Sequence, residues 1–413
     1  MEPKAKIELQ AWMTAPETAA VVAALTSEGA TVRFVGGCVR DALLGRTVKD
    51  IDIATHDPPE TVTRLLEKAG IKAVPTGIAH GTVTAVVGHA HFEITTLRKD
   101  VETYGRRAKV AFTNDWAADA ARRDFTFNTL FCAPDGAIYD PFDGIADLRA
   151  GRVRFVGNAE ARIREDVLRL LRFFRFYAHY GKGAPDEAAL SACRKLAHLL
   201  PTLSGERVAG ELLRLMAADD PASVAMLMEG EGVLTHVLPE AKRITRLAAL
   251  VAIERGLGEA DALRRLAAAL VPGTEAAIAV AERLRLSNAE SERLIAVAAP
   301  ESPVTVTTDS KVQRRELYRL GKARYRDLAL LSWAGAAKKD GAEEQAYRSM
   351  LAAAEAWQPV ALPIKGRDVL ALGVENGPEV GRLLKTVEAW WIEGDFRADR
   401  EACLKKLKSL TLH

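Results

Sequence analysis

The chain has 413 residues, 48% of them hydrophobic, and its 57 Lys and Arg residues almost cancel 55 Asp and Glu residues. Such a length and apolar content imply two to four globular domains with substantial cores, and the near-neutral balance rules out bulk charge as a source of polyanion affinity, which must come from local clusters. No apolar run approaches the roughly 20 residues of a membrane span, and the opening MEPKAKIELQAW has no apolar segment of a secretion signal. Cys38, Cys132, Cys193 and Cys403 lie far apart with no Cys-x-x-Cys pair, which suits reduced structural thiols and a cytoplasmic protein.

Residues 1–150 alternate short β-rich runs with helical stretches: TVRFVGG, then VRDALLG, then KDIDIAT, then PETVTRLLEKAG. GTVTAVVG and HFEITTLRK add further strands by their period-two alternation and β-branched residues. After Gly151 the text changes to Ala, Leu, Arg and Glu at helical spacing, as in DALRRLAAALV and EAAIAVAERLRL. An α+β head is therefore expected over 1–150, followed by helical segments over 151–230, 231–355 and 356–413. Pro, Ser and Gly interrupt the helical pattern near 200–207, 299–310 and 357–366. No fixed-period repeat is evident.

Asp50 and Asp52 in KDIDIA stand two apart in a run that reads as a strand, so both carboxylates share one face while Ile51 and Ile53 take the other. Side-by-side carboxylates repel unless a cation lies between them, and the pair suits Mg²⁺, a hard ion that shares its shell with substrate phosphates. Asp-x-Asp also occurs in turns and surface strands. Upstream, RFVGGCVRDALLG reads as a strand, a Gly-Gly turn and a helix, which lets backbone N–H groups and a helix N-terminus face an anion. Gly37 would admit a triphosphate closely, Arg40 would reach the same phosphates, and Asp41 would lock the turn by an ion pair. AARRDFTFNTLF places Arg122 and Arg123 beside Asp124, with Phe125 and Phe127 alternating against polar neighbours. Glu93 lies on a third candidate strand, either as a third metal-binding carboxylate or as a solvated strand residue.

REDVLRLLRFFRF (164–176) reads as a helix with a packing stripe of Leu168, Leu171 and Phe174. Asp166, Arg169, Arg172 and Arg175 recur every third residue and form a second, inclined stripe over roughly 13 Å. By itself this supports an i,i+3 ion pair between Asp166 and Arg169 worth a few tenths of a kcal/mol.

GGCVRD (36–41), DID (50–52), RRDFTFN (122–128), DPFDG (140–144), EDVLRLLRFFRF (165–176) and SGERVAGEL (204–212) occur in the order found in class II tRNA nucleotidyltransferases. That family comprises the bacterial CCA-adding enzymes and poly(A) polymerases, and the resemblance spans about half the chain. It implies a polymerase-β-like nucleotidyltransferase head with a mixed sheet, then an all-helical neck, body and tail, and extension of RNA 3′ ends without a nucleic-acid template. By this resemblance Asp50 and Asp52 are the catalytic, Mg²⁺-binding carboxylates. Gly37, Arg40 and Arg123 contact the nucleotide phosphates, with Arg122 the twin of Arg123. Asp166 and Arg169 read the base, and Arg172 and Arg175 also line the nucleotide pocket. The donor–acceptor pattern is consistent: a carboxylate accepts from the exocyclic amine of cytosine or adenine while a guanidinium donates to the adjacent ring nitrogen. Uracil and guanine would set a carbonyl against the carboxylate. Glu165 is expected to orient an arginine rather than to touch the base.

PTGIAHGTVTAV (75–86) resembles the CCA-adding version of its region, since the basic Gly-Arg-Arg-Phe type stretch of the poly(A) polymerases is missing. LRKDVETYGRRAKVAFTNDW (97–116) resembles the flexible loop of enzymes that add all three nucleotides. The expected activity is therefore addition of C, C and A to the tRNA 3′ end from CTP and ATP, with poly(A) addition or a non-catalytic RNA-binding relative as alternatives. A small-molecule nucleotidyltransferase would share the turn and the acidic pair but need no Asp-Arg stripe. His56-Asp57 reads as a solvated loop rather than part of an HD phosphohydrolase site. In the tail, Lys365, Arg367, Arg382 and Lys385 are candidates for RNA phosphates, beside Gly377-Pro378 and Gly381. No membrane and no obligate protein partner are expected.

Overall fold

The computed structural model describes residues 1–78, 81–104, 107–336 and 341–411. The chain divides into two compact units, Met1–Pro239 and Glu240–His413. The first unit is built on β1 (Ala5–Lys6), β2 (Val32–Val35), β3 (Ile51–Thr55), β4 (Lys72–Gly77), β5 (Thr82–Val87), β6 (Ala90–Thr96), β9 (Phe131–Cys132) and β10 (Ala137–Tyr139), with β7 (Arg98–Tyr104) and β8 (Arg107–Phe112) as a separate antiparallel ribbon. Eight strands form one sheet in the order β1-β10-β9-β2-β3-β6-β5-β4. Its β3–β6 pair is parallel and every other pair is antiparallel, so the sheet is mixed as the sequence implies.

The two-residue period sorts the sheet's faces. Phe34, Ile53, Val83, Phe92, Ile94, Cys132 and Ile138 form one core with Val21, Leu25, Val62 and Leu66 from the helices Pro16–Thr26 and Pro59–Lys68. Val35, Ala54, Leu97 and Phe131 face the other way, against Ala120 and Trp116. Asp52 lies on this second face, because Ile51 and Ile53 turn toward the first. Burial of large aromatic and aliphatic side chains, about 1.5–3 kcal/mol each, holds the strand that carries it.

Beyond the sheet this unit continues as helices Ala159–Glu165, Leu168–Tyr180, Glu187–Leu196, Gly205–Met216 and Pro221–Gly230. In Leu168–Tyr180 the residues Leu168, Leu170, Leu171, Phe173, Phe174 and Phe176 are buried. Phe125 and Phe127 meet Phe176 edge-on at 5.2 and 5.4 Å, which docks the arginine-rich helix onto the RRDFTFN segment.

The regular elements described in the second unit are helices, joined by irregular stretches, with an isolated bridge between Ala241 and Leu270. Its interior carries an ion cluster: Glu254, fully buried, accepts from Arg264 at 2.7 Å and Arg265 at 2.5 Å, and Arg264 reaches Asp327 at 3.1 Å. Near its end, Pro378 starts the helix Pro378–Glu393, and Leu383, Val387, Trp391, Cys403 and Leu407 form a small core. Of the basic residues expected there to meet RNA, Arg382 is paired with Glu379 at the surface. No described helix is long and apolar enough to cross a membrane.

Candidate active site

The Gly-Gly turn leaves β2 with Gly36 at φ +73°, in the left-handed region that favours glycine, and Gly37 begins the helix Gly37–Leu43. A Cβ on Gly36 would stand 3.6 Å from Arg123 Nη1 and 4.0 Å from Asp52 Oδ2. The turn is thus the floor between an arginine and an aspartate that lie far apart in sequence.

Asp52 is register-paired with Glu93 across the parallel β3–β6 pair, so both carboxylates share a face. Burial, with Glu93 and Asp50 adding like charge, pushes Asp52 up to about 6 although Arg123 and Arg40 oppose the shift. Asp50 immediately precedes β3 and is exposed, as is Glu93. Among the described residues no group of three or more His, Cys, Asp or Glu side chains is gathered closely enough to hold a metal ion. Hard oxygen donors with surplus negative charge fit a hard divalent cation.

Asp115 caps the helix Trp116–Ala121 by accepting from Ala117 N at 2.8 Å. Within that helix Asp119, 1% exposed, holds both arginines of the next motif: Arg122 Nε at 2.9 Å and Arg123 Nη2 at 3.0 Å. Burial alone would raise the Asp119 pKa, but the Arg123 and Arg122 charges outweigh it and hold the group below the ordinary carboxylate range. Arg40 is also tied down, donating to Asp41 at 3.0 and 2.9 Å and to Asn128 Oδ1 at 2.9 Å. Asn128 Nδ2 donates in turn to Asp124 at 2.9 Å, and Asp124 accepts from Arg172 Nε at 2.6 Å.

The expected single helix over 164–176 is broken. Ala159–Glu165 ends at Asp166, which is extended at φ −150° and ψ 105°, and a second helix starts at Leu168. Asp166 Oδ1 accepts from Leu168 N at 3.2 Å, so its own side chain helps to start the second helix. Nor does it pair with Arg169. Arg207, from the helix Gly205–Met216, donates to Asp166 at 3.0 and 2.7 Å. Glu165 holds Arg169 at 2.6 Å, and Arg169 also donates to the Arg122 carbonyl at 3.0 Å. Arg175 departs from expectation as well: the three-residue stride rotates it around the helix, away from the cavity and onto buried Glu211, 2.6 Å away.

These parts enclose an open cavity of about 450 Å³, within the usual range for a small-molecule site. Of the residues singled out in the sequence, Gly37, Arg40, Asp52, Arg123, Asp166, Arg169 and Arg172 line it, as does Arg122; Asp50, Glu93 and Arg175 do not. Gly36, Asp124, Asn128, Phe176 and Arg207 also line it and were not singled out as site residues. All five lie within the motifs quoted above, but their types alone gave no reason to prefer them to their neighbours. Within 97–116, Arg98–Tyr104 and Arg107–Phe112 form the β7–β8 ribbon, while Gly105 and Arg106 lie outside the described residues, as do Ala79 and His80 of 75–86.

Residues 32–154 match the family model of the poly A polymerase head domain, and 184–245 match that of the probable RNA and SrmB-binding site of polymerase A. The mouse mitochondrial CCA tRNA nucleotidyltransferase 1 is 32% identical over 388 residues, 92% of this chain and 87% of that protein. A CCA-adding enzyme of Lactococcus lactis subsp. cremoris is 38% identical over 217 residues, 51% of this chain and 53% of that one. The crystal structure of the Bacillus stearothermophilus CCA-adding enzyme in complex with CTP superposes with a TM-score of 0.77 at 27% identity, covering 96% of this chain and 97% of that one. Identity over almost the whole length, together with the shared fold, establishes that the chain belongs to the class II tRNA nucleotidyltransferases, the family of the CCA-adding enzymes.

Proposed function

We propose that this enzyme adds C, C and A to the 3′ end of tRNA from CTP and ATP, without a nucleic-acid template, releasing pyrophosphate at each step. The observation that carries the proposal is the single cavity bordered at once by Asp52, the Gly-Gly turn, Arg123 and the Asp166–Arg169 region. Enzymes of this family depend on a divalent metal ion, and we assign Mg²⁺ to Asp50 and Asp52. Bound there, it supplies Lewis-acid activation of the attacking hydroxyl and neutralises charge on the leaving group.

The remaining work falls to side chains that position and neutralise. Gly36 and Gly37 let the triphosphate approach the backbone, and Arg123, braced by Asp119, meets it with a fixed guanidinium. Arg40 adds positive charge while its donors stay on Asp41 and Asn128. The RNA 3′-oxygen forms a bond to the α-phosphorus as the bond to pyrophosphate breaks. Asp166 accepts from the exocyclic amine of C or A, and Arg169 donates to the neighbouring ring nitrogen. Arg172 walls the pocket, and Arg175 acts from behind it, on Glu211 and over the Phe176 ring. Four free, buried cysteines support a reducing compartment, and we place the enzyme in the cytoplasm, although the vertebrate relatives are named mitochondrial.

Incubation with tRNA lacking its 3′ end, Mg²⁺, CTP and ATP is expected to add three nucleotides and stop. The poly A polymerase wording of both family models favours a second reading, poly(A) addition. A long A tract on generic RNA would establish it, and no incorporation would refute both.

A further inference from the structure

Asp166 sits between two helices with an extended backbone, so local structure restrains its carboxylate only through the 3.2 Å bond from Leu168 N. Arg169, the neighbour best placed in sequence to neutralise it, is held instead by Glu165. What fixes the Asp166 carboxylate is Arg207, 41 residues away on another helix, whose Nη2 donates to Oδ1 at 3.0 Å and Oδ2 at 2.7 Å. Asp166 and Arg207 also border a second cavity of about 330 Å³, lined by Arg164, Thr202 and Leu203. Their ion pair is therefore the wall shared by that chamber and the nucleotide cavity.

We propose that Arg207 is a positioning residue that sets base choice, an inference that rests on the reading of Asp166 as the group facing the base amine. A carboxylate offers about four lone-pair sites. Leu168 N holds Oδ1 while a single Arg207 nitrogen, Nη2, bridges Oδ1 and Oδ2, so the carboxylate is fixed in orientation with Oδ2 the less occupied, aimed acceptor. One aimed acceptor takes one exocyclic N–H and opposes a carbonyl, which is the distinction between cytosine or adenine and uracil or guanine. Without Arg207 only the Leu168 N bond remains, the carboxylate regains freedom to turn, and water can bridge it to the wrong base. The separate clamps matter for the same reason: an Asp166–Arg169 pair would spend each reader on the other, whereas Arg207 and Glu165 leave both directed at the cavity.

The test measures kcat/KM for CTP, UTP, ATP and GTP on tRNA ending one nucleotide before each addition, for the wild type, Arg207→Met, Arg207→Lys and Asp166→Ala. Arg207→Met keeps side-chain bulk in the wall and removes the donors, and is expected to reduce the CTP/UTP and ATP/GTP ratios roughly ten- to hundredfold. Arg207→Lys should fall between it and the wild type, and decides the matter on the same ratios if Arg207→Met does not fold. A role limited to joining two helices would lower all four values together and leave the ratios unchanged, and that result overturns the proposal. Relaxed ratios in Asp166→Ala beside unchanged ratios in the Arg207 variants would leave the base-reading role standing and remove Arg207 from it. Unchanged ratios in Asp166→Ala would instead remove the reading on which the inference rests.

Discussion

Asp119→Asn preserves the shape of a side chain that is 1% exposed and removes the charge against which Arg122 and Arg123 rest. Breaking a buried ion pair by deleting one partner costs about 3–5 kcal/mol. Here both guanidinium groups border the open cavity, where water can partly replace the lost partner, and the asparagine carbonyl retains an acceptor. A loss of about 2–3 kcal/mol is therefore expected at pH 7. The pH dependence has a definite sign. Because the folded-state pKa of Asp119 lies below the ordinary aspartate value of about 3.9, its stabilisation is complete above that value and is lost as pH falls through the folded one. The gap between wild type and Asp119→Asn should be widest near neutrality and close in acid. Urea unfolding followed by tryptophan fluorescence, to which Trp116 in the same helix contributes, reads it at several pH values. The same substitution frees Arg123, and a displacement of about 1 Å is enough to weaken nucleotide use roughly a hundredfold in kcat/KM. A stability gap that widens in acid, or full nucleotide use in a destabilised variant, would refute the bracing role of Asp119.

Asp52→Asn is expected to lower nucleotidyl transfer roughly a thousandfold or more, and chelation should abolish transfer in the wild type until Mg²⁺ is restored; transfer that survives chelation would remove the metal from the mechanism. In Gly144→Ala the new Cβ would fall 2.3 Å from the Thr126 carbonyl oxygen, so the backbone must shift. A loss of about 1–3 kcal/mol in urea unfolding is expected, and unaltered stability would show that the DPFDG turn yields freely. Glu254→Gln leaves Arg264 and Arg265 buried without their shared carboxylate, and should destabilise the helical unit by about 3 kcal/mol or more in the same assay. A variant as stable as the wild type would mean that solvent reaches this cluster.

The head was legible because its signals are local. A Gly-Gly pair after a β-rich run and alternation through KDIDIA each state a backbone geometry that the fold then adopts, whereas the alternating phenylalanines of RRDFTFN do not: Thr126–Asn128 is a 3-10 turn buried on all sides. The break at Asp166 was missed because apolar periodicity runs on through it, with no glycine or proline to interrupt it. An aspartate just ahead of LRLLRFF is nonetheless a helix-start signal, and its side chain does accept from Leu168 N. Arg175 shows the limit of stripe arguments. Each three-residue step turns about 300°, so a stripe lining the cavity at 169 and 172 has left it by 175. Arg207 was beyond reach for a different reason: nothing in SGERVAGEL says which carboxylate its arginine will meet 41 residues upstream.

Besides the phenylalanine contacts, a polar ring joins the helix Leu168–Tyr180 to the helix after the Gly-Gly turn and to the RRDFTFN segment, and it closes on itself. From the helix Leu168–Tyr180, Tyr180 donates to Asp41 at 3.0 Å; Asp41 holds Arg40, Arg40 holds Asn128, Asn128 donates to Asp124, and Asp124 returns to Arg172 on the same helix. Charge-assisted bonds of fixed direction set spacing more tightly than sliding apolar contacts do. Glu211 extends the ring, lying 4.0 Å from Arg172 and 2.6 Å from Arg175. An arginine used in this way cannot also swing toward substrate without leaving a buried acceptor unpaired, at a cost of about 1–3 kcal/mol. In the proposed function, Arg40 and Arg172 thus contribute a stationary field and a fixed wall, and Arg123 and Arg169 meet the nucleotide from the fixed positions that Asp119 and Glu165 give them. The arginines expected to act as one stripe divide in this way because each is held by a carboxylate on a different element.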